Sequence, residues 1–156
     1  VASANDCSVA LGEHLAGSAD AFVERMNVRA QELGMNDTTF KNATGLPAAG
    51  HVSSAYDIAL MSRELIRNHP DIRRYTTIWM DTLRDGQSQL VNTNKLVRYY
   101  KGATGMKTGT TDAAGACLLS AFQYEERTLV IGVFGCPEEE DRFDDTLQLF
   151  NQIVLN

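Results

Sequence analysis

The sequence is poor in positive charge and has no long apolar segment. Lysine and arginine together number 14 against 20 acidic residues, which gives a formal net charge of -6. A surface that binds nucleic acid or an anionic membrane needs a basic patch, so the composition argues against both kinds of partner. No apolar run approaches the roughly 20 residues that a transmembrane helix requires.

Cysteine is also scarce. Cys7, Cys117 and Cys136 are too few, and odd in number, for a disulfide framework. Together with the three scattered histidines they lack the spacing of a zinc site, so we expect no metal. Cys117 lies in an apolar run, and we expect it to be a small buried side chain.

The chain begins at Val1, not at methionine, and residues 1–8 are neither basic nor continuously apolar, as a signal peptide would be. We therefore expect an upstream segment to precede Val1. The length of 156 residues suits one domain, and a hydrophobic fraction of 44% is enough for a core.

Apolar periodicity and turn residues predict helices around an antiparallel sheet. Helices are predicted over residues 8–16, from Ser18 to about Gly34, and from a capping box at Ser54 and Asp57 to about residue 67. The last helix carries an apolar stripe of Phe143, Leu147, Phe150 and Val154. Strands are predicted at residues 39–41, 75–80, 89–92, 116–124 and 128–135, the last two forming a hairpin.

The triplet Lys107-Thr108-Gly109 lies just before this hairpin. A lysine places a positive charge at a cleft wall, a threonine hydroxyl can hydrogen-bond a carboxylate, and a glycine lets a substrate backbone lie against the strand. A solvated lysine before a turn glycine is the structural alternative. Ser3 and Asn5 favour the functional interpretation, although helix capping alone could explain a Ser-x-Asn sequence.

Ser-x-Asn followed far along the chain by Lys-Thr-Gly gives two of the three motifs of penicillin-binding proteins and class A β-lactamases. The surrounding sequence resembles D-alanyl-D-alanine carboxypeptidases of the penicillin-binding protein 5 and sporulation type. The resembling stretches cover nearly the whole chain: residues 3–6, 22–27, 33–35, 39–42, 45–46, 53–57, 92–94, 105–109 and 142–143.

The resemblance implies an α/β (α+β) fold of the penicillin-binding protein and β-lactamase type, with an antiparallel sheet flanked by helices. It implies a cell-wall hydrolase that releases the terminal D-alanine of peptidoglycan stem peptides through a serine acyl-enzyme, needs no cofactor and is inhibited by β-lactams. Location outside the cytoplasmic membrane, either secreted or anchored at its outer face, follows from the resemblance alone.

The site roles follow by matching positions. Ser3 would relay a proton, Asn5 would hydrogen-bond the substrate amide, and Lys107 would hold Ser3 electrostatically. Thr108, helped by Thr110, would bind the terminal carboxylate beside Gly109, and the Thr110 backbone N–H would form half of the oxyanion hole.

The sequence departs from the family in lacking Ser-x-x-Lys. We therefore interpret residues 1–156 as part of a catalytic domain whose nucleophile lies outside the chain, so that the chain alone is inactive. Two alternatives stay open, a non-catalytic module that binds D-Ala-D-Ala or penicillin, and a serine β-lactamase.

In the family, two further strands complete the sheet beside residues 129–134, which are apolar enough for a central strand. In this chain alone they would form an open edge, which is a template for association. We therefore predict that residues 1–156 are not a clean monomer. The expected partner is the missing N-terminal segment or a second copy of the chain.

Overall fold

A computed structural model describes residues 1–155. The chain divides into two units, and the division falls within a helix. One unit is Ser3–Met61, and the other comprises Val1–Ala2 and the chain from Ser62 onward. The first contains helices and a single β-bridge, while the second contains both β-sheets.

The unit Ser3–Met61 contains α1 (Asn5–Ala16), α2 (Ala19–Glu32) and the first half of α3 (Ala55–Asn68). The predicted cap of α2 is confirmed, because the Ser18 hydroxyl accepts a hydrogen bond from the Ala21 N–H at 3.1 Å. Helix α1 begins three residues earlier than predicted.

The segment between α2 and α3 is a loop with one bridge, Thr39 to Val52, where a short strand was expected. Half of the predicted capping box is present, since the Asp57 N–H donates to the Ser54 hydroxyl at 3.2 Å. The part of the prediction that concerns the Asp57 side chain was wrong. The Asp57 carboxylate, one methylene shorter than glutamate, instead accepts the Asp37 N–H at 2.8 Å and the Thr38 hydroxyl at 2.7 Å.

The second unit adds short helices, two sheets and a last long helix. Its elements after α3 are a 3-10 turn (Pro70–Ile72), α4 (Arg73–Thr76), β1 (Met80–Leu83), β2 (Ser88–Val91), α5 (Leu96–Tyr99), β3 (Ala103–Thr111), β4 (Gly115–Tyr124), β5 (Arg127–Cys136) and α6 (Asp141–Val154). The strand predicted at 75–80 was wrong for most of its length. Thr76 is helical because its hydroxyl binds the Thr104 carbonyl at 2.8 Å, a tertiary contact that overrides strand propensity.

Strands β3, β4 and β5 form an antiparallel sheet in that order. Strand β3 therefore lies at one edge, and the predicted β4–β5 hairpin is confirmed. Within residues 1–155, β5 pairs only with β4. The association expected through this edge stays a prediction.

Helix α6 covers one face of this sheet. Phe143 and Phe150 of α6 are buried with Leu118 and Phe122 of β4 and Ile131 of β5. The Phe122 and Phe150 rings lie 4.6 Å apart between centroids. Burial of each such side chain contributes roughly 1.5–3 kcal/mol, so the predicted apolar stripe anchors the sheet.

The cysteines differ from expectation. Cys117 is half-buried, whereas Cys136 is the buried thiol of the pair. No helix within residues 1–155 has the length and apolar character needed to cross a lipid bilayer.

Gly105 of β3 lies close to the backbone of α4. Its φ is +95°, and a Cβ placed on it would lie 2.1 Å from the Thr76 carbonyl oxygen. The pairing register with β4 shifts between Ala103 and Gly105, which is the mark of a β-bulge. A side chain at this position would push α4 away from the strand.

We predict that Gly105→Ala destabilises the full-length protein by roughly 3 kcal/mol or more, because the new methyl group adds overpacking to the strain of a left-handed φ. The matched control is Gly86→Ala, where φ is +88° but no atom lies within 4 Å of the new Cβ. In that variant only the strain of the left-handed φ remains, which lowers the free energy of unfolding by about 1–2 kcal/mol. Urea unfolding measures both, and equal losses in the two variants would contradict the close approach.

Candidate active site

The candidate site is built on the edge strand β3, which carries Lys107, Thr108, Gly109 and Thr110 in succession. Strand β4 pairs with one side of β3, and no strand within residues 1–155 pairs with the other. Gly109 is open, since no atom lies within 4 Å of a Cβ built on it. An extended peptide can therefore add to this edge through backbone hydrogen bonds.

The backbone immediately before Lys107 is strained. Met106 has a φ of +103°, a region that residues with a side chain rarely adopt, and it follows the bulge at Gly105. Such strain is typical of functional sites, where it fixes the direction of a side chain. The Lys107 ammonium donates to the Thr108 carbonyl oxygen.

The Lys107 charge is electrostatically costly where it lies. Although the residue as a whole is exposed, loss of water around the side chain lowers the pKa of Lys107, and the positive charge of Arg142 lowers this pKa further. The site thus concentrates positive charge at the β3 edge, which favours an anionic ligand.

A rigid turn presents Thr93 to this strand. Asn92 donates to the Ile78 carbonyl at 2.8 Å and accepts the Asn94 N–H at 2.9 Å, while Asn94 donates to the Ser120 hydroxyl at 3.0 Å. Both asparagine side chains are buried. Thr93, the exposed residue between the two asparagines, is therefore held in place on both sides.

The Thr108 hydroxyl donates to the Thr93 hydroxyl at 2.6 Å. Thr108 is only 6% exposed, so this contact fixes the orientation of its hydroxyl. The sequence indicated residues 92–94 only as part of the family resemblance, without a role. The contact joins positions 15 residues apart, and no periodic pattern in the sequence indicates it.

A second cluster lies at Thr110. Arg142 of α6, 5% exposed, donates to the Thr110 hydroxyl at 2.9 Å and to the Gly109 carbonyl at 3.4 Å. The Thr110 hydroxyl donates to the Glu139 carboxylate at 3.1 Å, and that carboxylate also lies 3.5 Å from the Arg142 guanidinium. The buried Nε of Arg142 has no partner within the described residues.

Arg142 and Glu139 were missed as site residues. The pair Arg142-Phe143 belonged to the resembling stretches, and the only role that the sequence indicates for Glu139 is that an acidic residue is favoured at a helix start. Neither expectation could reveal the contact with Thr110, because it depends on how α6 packs against the sheet.

Ser3 and Asn5 belong to the unit Ser3–Met61, not to the unit that carries β3. The alternative of helix capping is not observed, because Ala4 precedes the first residue of α1 and no side chain caps that end. Ser3 has a φ of +53°, a strained value for serine. Both residues are exposed.

The described residues hold no cluster of three or more histidine, cysteine, aspartate or glutamate side chains that could bind a metal ion. The buried Cys136 is a poor alternative nucleophile. Burial raises the pKa of the Cys136 thiol, and the nearby Asp145 and Asp141 carboxylates raise it further. A thiol with a raised pKa stays protonated and unreactive at neutral pH.

Comparison with known proteins identifies the family. A family model described as D-alanyl-D-alanine carboxypeptidase matches residues 1–138. The chain belongs to this family. The resemblance inferred from the sequence motifs is confirmed.

Curated relatives of this carboxypeptidase family extend beyond the matched region. The chain is 42% identical over 145 residues to D-alanyl-D-alanine carboxypeptidase DacF of Bacillus subtilis, covering 91% of the chain and 37% of DacF. It is 37% identical over 134 residues to DacA of Escherichia coli, covering 85% of the chain and 33% of DacA. The chain thus spans about a third of the length of these relatives.

Solved structures confirm the expected fold. A penicillin-binding protein of Listeria monocytogenes in a cefotaxime-bound form has a TM-score of 0.87 and 38% identity, covering 96% of this chain and 60% of its own. Penicillin-binding protein 5 of Haemophilus influenzae has a TM-score of 0.90 and 31% identity, covering 96% of this chain and 44% of its own.

We predict that Arg142→Gln raises the pKa of Lys107 in the full-length protein, because a neighbouring positive charge disfavours the ammonium. The recovery is partial, since loss of water is the larger cause of the lowered pKa. Titration of the Lys107 13Cε resonance by NMR measures the pKa, with Arg98→Gln as the control. An unchanged or lower pKa in Arg142→Gln would contradict the electrostatic coupling.

Proposed function

We propose that the full-length protein is a serine-type D-Ala-D-Ala carboxypeptidase that removes the terminal D-alanine of peptidoglycan stem peptides. The observation that carries the proposal is the open edge of β3, where Lys107, Thr108 and Thr110 lie together beside the buried Arg142. A carboxypeptidase must recognise both an extended peptide and its free terminal carboxylate, and this edge offers donors for each.

The carboxylate would bind to the threonine hydroxyls. Each threonine has one O–H, which Thr108 donates to Thr93 and Thr110 donates to Glu139 in this structure, so both protons would have to turn toward the ligand. The charges of Lys107 and Arg142 favour an anion beside them. The contact with Thr93 holds the Thr108 oxygen in place, and the hydrogen bond from Arg142 holds the Thr110 oxygen. We call the hydroxyls of Thr108 and Thr110, together with the Arg142 guanidinium, the carboxylate cradle.

The substrate backbone would pair with the free edge of β3 at Gly109, where there is room for a peptide chain. By the family pattern, the Thr110 backbone N–H supplies half of the oxyanion hole. One such donor lowers the barrier by about 2.7–4 kcal/mol, because it binds charge that develops in the transition state.

The chemistry would follow the acyl-enzyme route. The oxygen of a serine outside residues 1–156 bonds to the penultimate carbonyl carbon, the C–N bond to the terminal D-alanine breaks, and the serine proton passes to the departing amine. Water then cleaves the ester. By their match to the family motif, Ser3 relays that proton, Asn5 hydrogen-bonds the substrate amide and Lys107 supplies a fixed charge.

The family supports two further parts of the proposal. β-Lactams would acylate the same serine, in keeping with the relative solved in a cefotaxime-bound form. A protein that acts on peptidoglycan would lie outside the cytoplasmic membrane. In this proposal residues 1–156 form part of the catalytic domain.

We predict that fluorescent penicillin labels the full-length protein covalently and that Lys107→Ala abolishes labelling without unfolding it. The lysine is exposed and carries little packing, so the melting temperature should hardly change. Lys101→Ala is the matched control, because it removes an exposed lysine outside the candidate site and should label like the wild type.

Absence of any adduct with the wild type would refute the enzyme and favour a binding module. Near wild-type acylation by Lys107→Ala would refute the role of that lysine. Deacylation that is faster for a β-lactam than for a D-Ala-D-Ala peptide would indicate a β-lactamase instead.

A further inference from the structure

The Thr110 hydroxyl has one proton and two competing uses for it. Arg142 donates into its oxygen, so the Thr110 O–H must point elsewhere. In this structure it donates to the Glu139 carboxylate at 3.1 Å. A ligand carboxylate bound in the cradle would need that same proton.

Glu139 also pairs with the Arg142 guanidinium, which is the second group that attracts a ligand carboxylate. Its carboxylate oxygen lies 3.5 Å from the Arg142 guanidinium, so it neutralises part of the positive charge in the cradle. A single glutamate thus makes the hydroxyl and guanidinium contacts of a bound carboxylate. Its position three residues before Arg142 brings it to the end of β3.

A ligand carboxylate can displace Glu139 from these contacts. The Glu139 side chain is 63% exposed, whereas that of Arg142 is 6% exposed. Arg142 is held independently of Glu139 by the Thr110 hydroxyl and the Gly109 carbonyl. Glu139 can therefore swing into solvent while the rest of the cradle stays in place.

We propose that Glu139 is an internal competitor for the carboxylate cradle and a specificity-determining residue of the site. It lowers the affinity for ligands with a free carboxylate and leaves ligands without one unaffected. This inference rests on the proposed function, because it takes the cradle to be the place where the substrate carboxylate binds.

The size of the effect follows from the exposure of Glu139. Solvent-exposed ion pairs are weak, so loss of the Glu139 charge should strengthen binding of a carboxylate ligand by roughly two- to fivefold. The gain should shrink as ionic strength rises, because added salt screens exposed charges.

The test compares Glu139→Gln with Glu138→Gln in the full-length protein. Glutamine keeps the size of the side chain and an oxygen that can accept the Thr110 O–H, but it removes the charge. Glu138→Gln changes the net charge equally, one residue away, and Glu138 makes no hydrogen bond or ion pair in the described part of the chain. The ligands are benzylpenicillin and its methyl ester, and the readout is the second-order rate constant of acylation.

We expect Glu139→Gln to acylate roughly two- to fivefold faster than the wild type with benzylpenicillin and at an unchanged rate with the ester. Glu138→Gln should match the wild type with both ligands. A slower rate in Glu139→Gln, an equal gain in Glu138→Gln, or the same gain with the ester would overturn the proposal. A slower rate would mean that Glu139 supports the cradle.

A binding measurement separates this inference from the proposed activity. NMR titration gives the affinity of the wild type and both variants for an isostere of N-acetyl-D-alanyl-D-alanine and for its C-terminal amide, with CH2–CH2 in place of the scissile amide so that no chemical step can occur. Tighter binding of the acid alone by Glu139→Gln supports the competitor role even if penicillin forms no adduct. If Glu139→Gln binds both the acid and the amide as the wild type does, the competitor role is wrong even where acylation proceeds.

Discussion

The antiparallel pairing of β3 with β4 is the interaction on which the candidate site depends. It places Lys107 opposite Leu119 and Gly109 opposite Cys117, and it leaves the other edge of β3 without a strand in the described residues. The core between β4 and α6 holds the pairing in place, and the same packing brings Arg142 to the strand. A single hydrophobic core thus positions both the edge and its charge.

Two hydroxyl groups, each with a single proton, determine how the candidate site can bind a ligand. Thr108 is tied to Thr93, and Thr110 receives a hydrogen bond from Arg142. The oxygen of each threonine is held in place before any ligand arrives, and only its proton has to turn toward the ligand. Loss of water is the larger cause of the lowered pKa of Lys107, and the positive charge of Arg142 in the cradle lowers this pKa further.

Much of the fold and part of the site could be predicted from the sequence. The apolar runs predicted the β4–β5 hairpin and α6, and the Lys-Thr-Gly motif indicated where the candidate site lies, although the roles of its residues stay predictions. The strand expected at residues 75–80 was wrong, because a tertiary contact of Thr76 overrides local propensity. Thr93, Glu139 and Arg142 could not be assigned roles, because their contacts with β3 depend on packing between distant segments.

The central claim is that the hydroxyls of Thr108 and Thr110 bind a ligand carboxylate at the open edge of β3. A crystal structure of the full-length protein acylated by benzylpenicillin tests it most directly. The account predicts the ligand carboxylate within hydrogen-bond distance of both hydroxyls, with the acyl chain along β3 and Glu139 turned away from Thr110. A carboxylate bound elsewhere, with the contact between Thr110 and Glu139 intact, would contradict it.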